Sequence, residues 1–188
     1  GIANYNAELG AKRLELLRDA VRKIVKVAVM FNPGATGSTA QMKATQDAAA
    51  AMNIRVQMVP IQRPEEIEAA FAAMRDGGAD ALVVMEGPVN YPHRKRIVAL
   101  ATAARRPAIY GYTDFAKEGG LMAYSANLAG LHRKAADYVD KILKGAKPGE
   151  LPIAQPTTFE LIVNLNTAKN LGIKIPQSVL LRAEELIE

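Results

Sequence analysis

Apolar residues along this chain recur in two rhythms. From Glu8 to Arg22, Leu9, Leu14, Leu16, Leu17 and Val21 fall among charges at helical spacing, which predicts an amphipathic helix. Ile24 to Phe31 is continuous and rich in β-branched residues, then stops at Asn32-Pro33-Gly34, the pattern of a buried strand closed by turn residues. The two rhythms then alternate. An alanine-rich helix opens at Ser38 and runs to about Met52, and Ile54–Pro60 is the second strand. Arg63-Pro64-Glu65-Glu66 starts a helix that Gly77-Gly78 ends. Ala79–Met85 is a strand broken at Gly87-Pro88, followed by a helix over Pro92–Arg105 and a strand over Pro107–Tyr112. Asp114–Glu118 is a short helix stopped by Gly119-Gly120, and Leu121–Tyr124 a short strand. Asn127 is placed to cap a long amphipathic helix that reaches Lys144-Gly145.

Strands alternating with helices at this spacing predict an α/β fold with a doubly wound parallel sheet, and four β-α units fit between Val25 and Glu118. The tail breaks the rhythm. Lys147-Pro148-Gly149-Glu150-Leu151-Pro152 reads as a linker, Thr158–Leu165 as an exposed or edge strand, Asn166–Gly172 as a helix, and Ile175-Pro176 as the entry to a closing helix.

Composition narrows the function classes. About half of the 188 residues are apolar, enough for a sizeable core, and the absence of cysteine excludes disulfides, thiolate metal sites and thiol nucleophiles. The formal charge of +5 would suit nucleic acid. However, Arg13, Lys43, Arg63, Lys95, Lys134 and Lys147 are scattered among acids and alanines without interleaved aromatics, so they read as solvated helix faces and no nucleic-acid partner is expected. The longest apolar runs are strand-sized, and no leader is visible. The opening Gly1-Ile2-Ala3-Asn4-Tyr5-Asn6 reads as a cut within a longer frame.

Open parallel sheets bind ligands beyond the carboxyl ends of their strands. After the first strand comes Asn32-Pro33-Gly34-Ala35-Thr36-Gly37-Ser38-Thr39. Its backbone amides and the Thr36, Ser38 and Thr39 hydroxyls are suited to a carboxylate or other anion; equally, this is an ordinary turn with Ser38 as helix cap. The loop lacks both the Gly-Lys-Ser/Thr ending of a phosphate loop and Gly-x-Gly-x-x-Gly, which disfavours nucleotides. Glu86 and Gly87 follow the third strand, where Glu86 could accept a ligand amine and nearby Tyr91 stack on an apolar group, or where both simply sit at the rim. Tyr110 and Tyr112, on one side of the fourth strand, are candidates to wall a cleft. Enzyme chemistry finds no footing. His93 and His132 belong to no metal-ligand spacing, no Gly-x-Ser-x-Gly elbow is present, and Glu65-Glu66 is accounted for by a helix amino terminus. No cofactor and no metal are expected.

Several stretches resemble the ABC transporter substrate-binding family associated with tryptophan and related ligands. They are Glu8–Leu17, Val27–Pro33, Pro107–Gly111, Glu118–Tyr124, Tyr138–Pro148, Gln155–Leu165 and Lys169–Pro176, which together span essentially the whole chain in order. The resemblance implies a type I periplasmic-binding-protein fold, two α/β lobes around a cleft, with most of the N-terminal lobe outside this sequence. It divides the chain into an inter-lobe helix of the N-terminal lobe (1–24), a C-terminal ligand-binding lobe (25–124), and a return helix, linker and closing strand-helix segment (125–188). Without a second lobe, the apolar faces of the first and return helices would need another partner, such as a second copy in a homodimer. Carried onto this chain, the binding roles fall on Asn32, Thr36, Ser38, Thr39, Glu86, Gly87, Tyr110 and Tyr112. Here the first loop is Gly/Thr-rich where amino-acid-binding relatives are Ser/Asn-rich, and Glu86-Gly87-Pro88 replaces an Asp-containing stretch. The implied function is periplasmic capture of a small aromatic or carboxylate-bearing metabolite for an ABC permease. The alternative is a ligand-sensing module of the same fold in a signalling or regulatory protein.

Overall fold

The computed structural model describes residues 7–21 and 23–188; Gly1–Asn6 and Arg22, the last residue of the predicted first helix, lie outside the described residues. Helix α1 (Ala7–Ala20) leads into β1 (Lys26–Phe31), α2 (Ser38–Ala51), β2 (Arg55–Pro60), α3 (Ile67–Asp76), β3 (Ala81–Val84), α4 (Arg94–Ala103), β4 (Ala108–Tyr110), α5 (Asp114–Lys117) and β5 (Met122–Ala126). The chain then forms α6 (Leu128–Leu143), β6 (Phe159–Asn164), α7 (Leu165–Leu171), α8 (Gln177–Leu180) and β7 (Glu185–Ile187).

The strands form one sheet in the order β2-β1-β3-β4-β5-β6-β7. β1 to β5 are mutually parallel, β6 runs antiparallel to β5, and β7 is parallel to β6. Strand alternation sorts the side chains onto two faces. Val27 and Val29 of β1, Ala81 and Val83 of β3 and Ile109 of β4 pack with α1, α2, α7 and α8. Ala28 and Met30, Leu82 and Val84, and Ala108 and Tyr110 pack with α3, α4 and α5. Burial on both faces explains why these strands read as continuous apolar runs. The sheet is doubly wound, as expected.

Three expectations change. The first helix, expected to belong to the N-terminal lobe, packs one face on this sheet, with Leu14, Leu16 and Leu17 at most 1% exposed in the core beside α2. A Cβ on Gly10 would run into Thr45 Oγ1 and lie 2.8 Å from the Gln41 carbonyl, so only glycine allows α1 and α2 this close. The alternation over Thr158–Leu165 predicts an exposed or edge strand, but β6 is internal, with Leu161 to Val163 buried between β5 and β7. The closing helix is a single turn, α8, and Glu185–Ile187 instead adds a strand at the sheet edge. Glu184 secures that strand by accepting from the Leu161 amide at 2.5 Å and donating its own amide to the Leu161 carbonyl at 2.9 Å.

Helix α6 differs from the others. Asn127 caps it, Oδ1 accepting from the Gly130 amide at 2.5 Å, as the sequence suggested. Its only buried residue is Leu131, while Leu128, Val139, Ile142 and Leu143 are exposed. These residues leave an apolar stripe of an amphipathic helix uncovered among the described residues. No helix among the described residues is long and apolar enough to cross a membrane.

Candidate functional site

The sheet order places a topological switch between β1 and β3. The chain leaves β1 toward α2 on one face and leaves β3 toward α4 on the other, which opens a crevice above the two carboxyl ends. Register brings these ends level, Met30 opposite Val84 and Val84 opposite Tyr110. The loops after β1, β3 and β4 are therefore neighbours.

Asn32 is buried, and its Oδ1 accepts from the Gly34 amide at 2.8 Å, closing an Asx turn. Gly37 takes the left-handed conformation (φ 79°) and is the residue preceding α2, so Ser38 is the first helical residue rather than the cap. Thr36 and Thr39 are exposed. Ser38 is buried, and its Oγ has no hydrogen-bond partner among the described residues. The amino end of α2, a 14-residue helix, thus carries the buried Ser38 hydroxyl and the positive end of the helix dipole, both suited to negative charge, while the Ser38 amide itself donates to the Ala35 carbonyl at 3.1 Å.

Glu86 is not an open acceptor for a ligand amine. Arg13 of α1, with no exposed surface, donates from Nη1 to Glu86 Oε2 at 2.8 Å and from Nη2 to Oε1, and from Nε to the Tyr124 carbonyl at 2.8 Å. Gln41 Nε2 of α2 donates to Glu86 Oε2 at 3.0 Å. The pair is a bidentate fork, the geometry that guanidinium and carboxylate share. Gly111 makes room for it: a Cβ there would lie 2.8 Å from Glu86 Cδ and 2.9 Å from its amide nitrogen. Gly87 stands beside Asn32 and Asn90, and Asn90 is fully buried with Nδ2 donating to the Met85 carbonyl at 2.7 Å.

The two tyrosines part company. Tyr110 does not wall the crevice: it is 1% exposed, its ring stacks on Phe115 at 4.7 Å, and a Cβ on Gly120 would sit 2.5 Å from its Cε2. It still belongs to the sheet, so its side chain enters the core on the α3–α5 face, and burial pushes its phenol pKa far up. Tyr112, two residues past it, is half-buried and meets Tyr91 edge-to-face at 4.9 Å. Burial first, then the nearby Glu86 charge, raise its phenol pKa, partly offset by the Gly87 amide. Tyr91 donates to Asp114 Oδ2 at 2.9 Å, and Arg94 lies 5.1 Å from its ring centre. Tyr91 and Tyr112 form the aromatic side of the site. A separate groove of about 730 Å³ runs along α4 and α7, lined by Val98, Thr102, Arg105 and Thr167, away from these loops.

The structure thus brings together Asn32, Ser38, Glu86, Gly87 and Tyr112, leaves Thr36 and Thr39 at the exposed rim, and removes Tyr110. Sequence reasoning missed Arg13, Gln41, Asn90 and Gly111, and Arg13 is no solvated surface charge. Its signal was present: Leu9, Arg13, Leu16 and Ala20 follow one another at helical spacing, which puts a charge on the buried face. Among the described residues no group of three or more His, Asp or Glu is placed to hold a metal ion.

A family described as ABC transporter substrate binding protein matches residues 1–187. A tyrosine-binding protein of Clostridioides difficile (strain R20291) is 24% identical over 163 residues, which cover 87% of this chain and 47% of that protein. A conserved domain protein of Vibrio cholerae superposes with a TM-score of 0.90 at 22% identity, covering 99% of this chain and 62% of that one. An ABC domain from Streptococcus pneumonia in complex with L-Trp gives 0.88 at 22% identity, covering 99% and 61%. The chain therefore spans about half the length of the curated relative and about three-fifths of these solved structures.

Proposed function

This chain belongs to the ABC transporter substrate-binding protein family, and from that premise we propose that it forms one lobe of a solute receptor that takes an amino acid, aromatic by preference, into the crevice above β1, β3 and β4. The observation that carries this reading is the convergence of the α2 amino end, the buried Ser38 hydroxyl and the Tyr91–Tyr112 pair on one switch-point crevice. A helix amino end with a hydroxyl suits a carboxylate, and an aromatic rim suits a planar side chain. That one relative is named for tyrosine and a similar structure holds L-Trp supports the same class of solute.

In this reading the lobe supplies half of the contacts. A second lobe, for which the longer relatives have the length, covers the apolar stripe of α6 and closes over the solute. The closed form then docks on an ABC permease on the outer side of the cytoplasmic membrane. No step involves bond making or breaking.

The test is calorimetric titration of the full-length protein with L-tryptophan and L-tyrosine. Binding should weaken about tenfold, about 1.4 kcal/mol, when Ser38→Ala and Tyr112→Ala are combined, with the unfolding midpoint little changed. Unchanged affinity would remove both residues from the site. At about 100 times its dissociation constant the solute should add about 2.7 kcal/mol to unfolding stability.

A further inference from the structure

Among the described residues no other charged side chain is as completely buried as Arg13. Its side-chain hydrogen bonds run far along the chain, to Glu86 across 73 residues and to the Tyr124 carbonyl across 111. They also run in two directions. Glu86 opens the loop after β3, in which Gly87 stands beside Asn32 and Tyr91 meets Tyr112. Tyr124 lies in β5, three residues before Asn127, whose side chain caps α6. One planar fork therefore fastens the ligand-facing loop and the root of the uncovered helix to the same point on α1, and Gln41 adds the ligand-facing helix α2 to the knot.

A buried ion pair contributes little to stability compared with well-packed apolar side chains of the same size, because both ions lose their hydration. What it does supply is direction: a guanidinium with all three nitrogens committed holds its partners at set angles. Gly111 reinforces this, since the space above it is filled by the Glu86 carboxyl.

We propose that Arg13 is a positioning residue, which holds the loop after β3 and the root of α6 in one fixed relation, so that a solute contact on the loop is felt at the segment leading out of the lobe. The proposal rests on the reading that solute binds at this crevice. Arg13 itself, having no exposed surface, touches no solute.

The experiment uses the full-length protein with Arg13→Lys, which keeps the charge and loses the fork. Two things are measured: affinity for L-tryptophan and L-tyrosine, and amide hydrogen exchange without ligand. With melting close to wild type, affinity should fall about tenfold. Exchange in residues 85–91 and 124–128 should accelerate together about tenfold, while α3 and α4 stay protected. Should that variant fail to fold, Arg13→Met with Glu86→Leu replaces the pair by apolar groups of similar size and should fold with the same paired loss of protection. Wild-type exchange in both segments, or acceleration in one alone, overturns the proposal. Weakened binding with unchanged exchange does so too, assigning the loss to the solute's own contacts. If the wild-type protein binds neither amino acid, the proposed solute class falls, and the exchange data still decide the role of Arg13.

Discussion

At the scale of single residues, the site depends on what is missing as much as on what is present. Gly111→Ala would press a methyl group into the Glu86 carboxyl and its backbone nitrogen, so the loop after β3 must move. Equilibrium urea unfolding should show a loss of about 1–3 kcal/mol, the usual cost of overpacking. Tyr110 makes a prediction in pH. Its phenol, buried against Phe115, holds its proton well above the ordinary value of 10.0, so the folded state keeps a proton that the unfolded chain releases. The contribution is complete below about pH 10 and is lost as pH rises beyond it. Urea midpoints should therefore decline above that pH, and less steeply in Tyr110→Phe. Asn32, Ser38 and Tyr112 were legible because a chain-local rule, the residues next after a parallel strand, points to them. Glu86 was legible as a position but not in its role, since its partner arrives from a helix 73 residues earlier. Tyr110 was misassigned because periodicity does not say where, between residues 110 and 112, the sheet lets the chain go.

Elements read well where local signals agreed. The strands β1 to β5 and their helices follow apolar rhythm and turn residues, and Asn127 caps α6 as its type and place suggest. The tail read poorly because its short pieces carry weak periodicity. Ala183-Glu184-Glu185-Leu186-Ile187 favours a helix by composition, yet the free edge of β6 recruits Glu185–Ile187 as a strand through long-range hydrogen bonds. The placement of α1 likewise depended on a contact between helices rather than on its own pattern. That contact is testable: Gly10→Ala must push α1 away from the Gln41 carbonyl and Thr45, and should lower stability by about 1–3 kcal/mol in thermal or urea unfolding. Gly37→Ala meets no atom within 4 Å, but it must hold φ 79°, so the amino end of α2 should be perturbed without any steric clash.

For the molecule as a whole, the uncovered stripe of α6 sets how this lobe behaves by itself. Under the proposal that a second lobe covers this stripe, Ile142→Lys with Leu143→Lys should lower the melting temperature of the full-length protein in a thermal scan, because charge would be set against an apolar surface. A further consequence follows from the antiparallel pairing of β5 with β6. Ala126 lies opposite Phe159, and the Asn127 amide meets the Thr158 carbonyl at 3.0 Å, so residues 127–158 leave and re-enter the sheet side by side. That excursion is attached like a flag on a flat two-ply strap. A strap of this kind yields across its face and in torsion but not edgewise, because edgewise bending would stretch one ply's hydrogen bonds and crush the other's. Whatever α6 carries is thus tied to the sheet through two adjacent strands, β5 and β6, rather than through a single chain crossing.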